Sequence, residues 1–175
     1  MDANGTFIGS VPVTTSGNGD ANGAYSPDGS KVVFVRDFGS GVRAIFVANA
    51  DGSNEQNLAT SNCLCSSPSW SPDSQKIVYA SDHHDPVTQN LDIYVMDAVD
   101  SNGDGEGDNR VRLTTSSTGV MADAPVFSPD GLKIVYSLNP NGVFDLYVMN
   151  SDGSSQNAFA SYNENCFASD WIITS

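Results

Sequence analysis

Apolar residues along this chain come in short runs, each closed by a cluster of Gly, Pro, Asn, Asp or Ser, and no stretch keeps a helical period. Short runs rich in β-branched and aromatic residues between turn-formers are strand signals. The runs repeat. Ser26-Pro27-Asp28-Gly29 leads into Lys31-Val32-Val33-Phe34, Ser71-Pro72-Asp73-Ser74 into Lys76-Ile77-Val78-Tyr79, and Ser128-Pro129-Asp130-Gly131 into Lys133-Ile134-Val135-Tyr136. An aromatic precedes each turn (Tyr25, Trp70, Phe127), with Trp171 in the same place in a last, incomplete unit. A third run follows in each unit, Ala44-Ile45-Phe46-Val47, Asp92-Ile93-Tyr94-Val95-Met96 or Asp145-Leu146-Tyr147-Val148-Met149, and a fourth holds Leu58, Leu113 or Phe159. Proline presets φ in the first turn, and Asp and Gly accept turn geometry.

A repeat of this length buries its apolar face only against neighbouring units. Four strands joined by tight turns form an antiparallel meander, and meanders packed face to face around an axis form a propeller. The chain is therefore expected to be all-β, a partial β-propeller of four-stranded antiparallel blades. The expected spans are 1–15 as the outer strand of a preceding blade, complete blades over 24–60, 68–115 and 125–160, and 168–175 as the first strand of a further blade. The first span follows from aligning Met1-Asp2-Ala3 with Met96-Asp97-Ala98.

The pattern aromatic-Ser-Pro-Asp-Gly-x-Lys-Ile-Val-Tyr, followed by Asp-Ile-Tyr-Val-Met-Asp and a Gly-Ser turn, resembles the propeller repeat of the TolB family over nearly the whole chain. The amino-terminal domain of TolB itself has no counterpart here. The resemblance implies a propeller. It also implies one of several roles: a periplasmic or extracellular interaction module, or a propeller joined to a peptidase or a lyase. Closed propellers have four to eight blades. Three blades with two open ends are thus expected either to be a segment of a longer propeller or to associate through their edges, as a ring or a filament.

Charge narrows the partners. There are 21 acidic and 7 basic residues in 175, for a formal net charge of -14. Such a surface repels nucleic-acid phosphates and anionic lipid headgroups and favours divalent cations or basic partners. No apolar run reaches the length of a membrane span, and the first residues show neither a basic nor an apolar leader segment. A protein partner or self-association, outside the cytoplasm, is the expectation.

The second unit carries an insertion, Asp100-Ser101-Asn102-Gly103-Asp104-Gly105-Glu106-Gly107-Asp108. Oxygen side chains at relative positions one, three, five and nine, with Gly at six, have the spacing that turns successive ligands onto Ca²⁺. Asp100, Asn102, Asp104, the main chain of Glu106, and Asp108 are the candidate ligands of a structural calcium ion. The loop resembles the Asp-x-Asp-x-Asp-Gly hairpins of integrin-type propellers. An EF-hand fits less well, because its bidentate Glu would fall at Val111. Asn18-Gly19-Asp20-Ala21-Asn22-Gly23 has a similar rhythm but no ligand at position nine, and reads as a polar loop between blades.

No catalytic set is apparent. His83 and His84 are the only histidines and read as exposed hairpin residues, and no Gly-x-Ser-x-Gly elbow exists. Asp92 and Asp145 begin equivalent strands and suit a framework role. Cys65 and Cys166 occupy equivalent places on separate blades, which leaves either buried thiols or a bridge from Cys166 to Cys63 or Cys65 of a neighbouring chain. Trp70, Phe127 and Trp171 are expected in the core between blades.

Overall fold

The Lys-apolar-apolar-aromatic runs form the second strand of three sheets, each a four-stranded antiparallel meander. The computed structural model describes residues 14, 19–59, 63–84, 87, 90–160 and 165–168. The expected strands over 1–15 and 168–175 fall largely outside the described residues. Blade 1 is β1 (Gly19–Tyr25), β2 (Lys31–Gly39), β3 (Val42–Asn49) and β4 (Gln56–Ala59). Blade 2 is β5 (Ser66–Trp70), β6 (Lys76–Ser81), β7 (Asp92–Asp97) and β8 (Val111–Arg112), and blade 3 is β9 (Ala122–Phe127), β10 (Lys133–Leu138), β11 (Asp145–Asn150) and β12 (Asn157–Ala160). Leu113 lies one residue past β8. Among the described residues no helix is long and apolar enough to cross a membrane.

The Asn18–Gly23 segment departs from the sequence expectation. From Gly19 onward it is strand rather than loop, with Gly19, Asp20 and Ala21 opposite Asp37, Arg36 and Val35. Its Gly and Asn residues serve a bulge, at which the register shifts between Ala21 and Ala24. The first strands of blades 2 and 3 break register at the same place. One residue takes positive φ at each: Asn22 (53°), Ser67 (50°) and Ala124 (50°).

Strand alternation gives every blade two faces. One, here termed leading, carries the ring pairs Phe34–Phe46, Tyr79–Tyr94 and Tyr136–Tyr147, with centroids 5.7, 5.8 and 5.9 Å apart. The other, trailing, is aliphatic. Tyr79, Tyr94, Ile77 and Met96 of blade 2 pack on Val33, Val35, Ile45, Val47 and Leu58 of blade 1. Tyr136, Ile134 and Met149 of blade 3 pack on Val78, Ala80, Ile93 and Leu113 of blade 2. Trp70 and Phe127 are buried between blades as expected, and the Trp70 indole N–H donates to Ala24 O at 3.0 Å.

Candidate functional site

The Ser-Pro-Asp turns are held alike in all three blades. The hydroxyls of Ser26, Ser71 and Ser128 donate to Asp28, Asp73 and Asp130 at 2.6, 2.5 and 2.5 Å. Each hydroxyl also accepts the main-chain N–H of Lys31, Lys76 or Lys133, at 2.9 Å in every blade. The three carboxyls are held below their ordinary value of 3.8, first by the serine hydroxyl and next by a main-chain amide. These residues are framework.

The inserted loop of blade 2 is a series of side-chain-to-amide closures. Asp100 accepts from the amides of Gly103 (2.7 Å) and Gly105 (2.8 Å), Asn102 Oδ1 from Asp104 (2.9 Å), and Asp104 Oδ1 from Glu106 (2.9 Å). Asp108 takes the Ser101 hydroxyl, and Glu106 pairs with Arg110 at 2.7 Å. Asp100, Asn102, Asp104, Glu106 and Asp108 are thus brought into one hairpin, and all but Asp100 line an open cleft of about 430 Å³ with Arg110. Among the described residues no three His, Cys, Asp or Glu side chains stand as a ready metal-ligand group. The loop also bridges blades, because Gly107 N donates to Leu58 O at 2.8 Å and Glu106 pairs with Ala59.

Asp92 is fully buried and gathers the end of blade 2. Its carboxylate accepts from the Thr114 hydroxyl (2.7 Å), the Ser116 amide (2.8 Å) and Arg112 Nη2 (2.5 Å), and lies 3.3 Å from His84 Nε2. This is the framework role read from the sequence. Of the two histidines, His84 is exposed as expected and His83 is half-buried. The His83 side chain packs edge-on against Tyr94, with Nε2 2.9 Å from Arg110 Nη2. Burial, then the Arg110 charge, holds His83 below its ordinary value of 6.5. Both side chains reach Tyr94, whose hydroxyl lies 3.4 Å from His84 Nδ1, and each also meets a charged partner brought by another strand or loop.

The cysteine expectation is corrected. Cys63 and Cys65 are joined to each other, with Cα atoms 5.6 Å apart, and both are buried in the connection from blade 1 to blade 2. Cys166 is partly exposed, and its amide donates to Phe144 O at 2.8 Å. A Cys-x-Cys spacing was the available signal for this bond.

The blade ends differ in a way that pattern reading missed. On the leading face of blade 1, the Arg36 guanidinium lies 4.4 Å from the Phe46 centroid and 5.2 Å from that of Phe34. Asp20 holds it at 2.9 and 3.0 Å and Glu55 at 2.8 and 3.2 Å. By register Arg36 corresponds to Ser81 and Leu138, so a charge at that place was the sequence signal. On the trailing face of blade 3, Phe159 takes the register position of Leu58. It is 65% exposed, against 0% for Leu58 and 7% for Leu113.

No protein-family model matches the chain. It is similar to the Tol-Pal system protein TolB of Anaeromyxobacter dehalogenans strain 2CP-C, 34% identical over 116 residues that cover 66% of this chain and 24% of that protein. It is also similar to an uncharacterised peptidase of Bacillus subtilis, 24% identical over 154 residues, 75% of this chain and 23% of that protein. The chain thus spans about a quarter of the length of these curated relatives. Among solved structures, a TolB from Agrobacterium tumefaciens superposes with a TM-score of 0.63 at 25% identity, over 85% of this chain and 47% of that one. The three sheets are blades of the TolB-type β-propeller repeat.

Proposed function

We propose that this run of TolB-type blades is a non-catalytic interaction module of the periplasm, binding a protein partner through an open blade face. The observation that carries the reading is the trailing face of blade 3. Val148 and Leu146 are half-buried and Phe159 is exposed, where the matching Leu58 and Leu113 are covered by the next blade. An apolar face of this kind, rimmed by polar turns, is the usual mark of a protein contact. The Tol-Pal name of the TolB relative supports an envelope setting. A photo-crosslinking residue in place of Phe159 should give protein adducts in the periplasmic fraction, and one in place of exposed Val87 should not. Equal yields at both positions would overturn the reading. Association of copies is one form such binding can take, and light scattering across a concentration series reads it directly.

Calcium at the inserted loop is a further part of the proposal. The remaining lone pairs of Asp100, Asp104 and Asp108, the Asn102 amide oxygen and the Glu106 carbonyl would hold the ion, relieving repulsion among the carboxylates. Because Gly107 ties this loop to Leu58, binding would tighten the contact between blades 1 and 2. Titration calorimetry without heat at millimolar Ca²⁺ would end this part. A second reading, a propeller segment of a larger peptidase, is supported by the Bacillus relative and by the short span covered. A peptidase domain in the same reading frame would establish it.

A further inference from the structure

Adjacent Ser-Pro-Asp turns meet at one end of the blades, but their two junctions are not alike. Between blades 1 and 2, Ser74 Oγ accepts the Asp28 amide at 3.2 Å, and the Trp70 indole N–H donates to Ala24 O at 3.0 Å. These contacts close the junction. Between blades 2 and 3 the corresponding residues are Gly131 and Phe127, which bring neither the hydroxyl nor the indole N–H. A Cβ on Gly131 would stand 3.7 Å from Pro72 Cδ, so a side chain there would reach across the junction. With glycine in that place, a groove of about 380 Å³ stays open.

The groove has an apolar floor and an acidic rim. Phe127 is buried, Val95 is half-buried, and Pro72 is exposed at the mouth. Asp73 comes from the turn of blade 2, Asp130 from the turn of blade 3, and Asp152 from the hairpin between β11 and β12, and all three are exposed. Lys76 also lines the groove, but its ammonium lies 2.5 Å from Asp97. In each rim carboxylate the turn bonds fall on Oδ1, from the amides of Gln75, Leu132 and Ser154 at 3.0, 3.0 and 2.9 Å. Among the described residues none falls on Oδ2.

We propose that this groove binds an arginine side chain on a basic segment of another protein, with the aliphatic stem on Pro72, Val95 and Phe127 and the guanidinium among the rim carboxylates. Three points select this occupant. A long cationic side chain buries its stem on apolar surface and keeps its head at the polar edge, which matches the floor and the rim. A planar guanidinium with five donors bridges separate carboxylates, whereas among the described residues no three acidic side chains stand as a metal-ligand group. A second copy of the chain is a poor source, because each of its four arginines, Arg36, Arg43, Arg110 and Arg112, is already paired with a carboxylate. The net charge of -14 draws a basic segment toward the surface before contact.

The inference rests on reading the chain as an interaction module, through a surface other than the trailing face of blade 3. Its test follows the amide chemical shifts of the full chain by NMR at physiological salt, titrated to millimolar concentration with the capped peptide Gly-Val-Arg-Val-Gly. Shifts should gather at residues 71–75, 128–132 and 151–154 and saturate as one site. Asp73→Asn combined with Asp130→Asn keeps an oxygen for the turn bonds and should weaken binding about tenfold. Gly131→Ser repeats Ser74 of the closed junction, leaves every carboxylate in place, and should weaken binding to a similar degree. Asp28→Asn combined with Asp51→Asn, the same change in blade 1, should leave it unaltered, and a peptide with citrulline in place of arginine should not bind. Absence of saturable shifts overturns the inference. So do shifts spread evenly over the turns of all three blades, full binding by the Gly131→Ser chain, or equal binding of the citrulline peptide, because the contact is then general attraction to an acidic surface. Spermidine or Ca²⁺ that gives the same shifts more tightly than the peptide also overturns it, by replacing the protein segment as occupant. Failure of crosslinking at Phe159 with groove binding intact counts against the trailing face alone.

Discussion

In each Ser-Pro-Asp turn one hydroxyl closes the hairpin on both sides, donating to the Asp carboxylate and accepting the Lys amide that starts the next strand. Ser26, Ser71 and Ser128 are buried, so Ser→Ala at any of them leaves that amide without its partner. A loss of about 1 kcal/mol per site is expected from urea denaturation. The same contact sets the acid response. Because the folded carboxyls of Asp28, Asp73 and Asp130 sit below 3.8, their contribution is complete above that pH and is lost as pH falls through the lower folded values. Unfolding midpoints should hold steady from neutral pH to about 5, fall below about 4, and fall less steeply in the triple Ser→Ala variant. Ala124 lies at φ 50°, a left-handed conformation that costs an L-residue about 1–2 kcal/mol. Ala124→Gly should stabilise by about 0.5 kcal/mol once the extra freedom of unfolded glycine is counted.

Among the elements, the inserted loop shows what a blade-to-blade staple requires. A Cβ on Gly107 would stand 2.7 Å from Met96 Sδ and 2.9 Å from Asp97 O. Gly107→Ala should therefore cost about 1–3 kcal/mol and loosen β4, read as faster exchange of its amides. The repeat was legible here because strand alternation and turn chemistry are local. Lys76 through Tyr79 has the same form as Lys31 through Phe34, and both are second strands. The insertion was legible as an oxygen-rich hairpin. Its docking on blade 1 was not, because the bond from Gly107 to Leu58 joins residues from separate blades. The Asn18–Gly23 segment was misread for a related reason, since its turn-forming residues serve a bulge inside a paired strand. The partners of His83 and His84 arrive from the segment before β8 and from β7, which no spacing within the hairpin announces.

For the molecule as a whole, equivalent positions separate according to what covers them. Leu58→Ala should cost about 3 kcal/mol, because blade 2 seals it completely, and Phe159→Ala should cost less than about 1 kcal/mol. Parallel thermal melts of the two variants check this asymmetry, and equal losses would mean that the trailing face is covered in solution. The amino-acid sequence by itself determined the blade, its strand order, its framework turns and the number of complete repeats, since these follow from a periodicity that each unit carries alone. Tertiary structure alone decided the Cys63–Cys65 bond over the other pairings, the placement of the Arg36 guanidinium over Phe34 and Phe46, and the exposure of Phe159. The physical reason is that burial belongs to a pair of faces, and a repeated pattern does not say which of its faces has a neighbour.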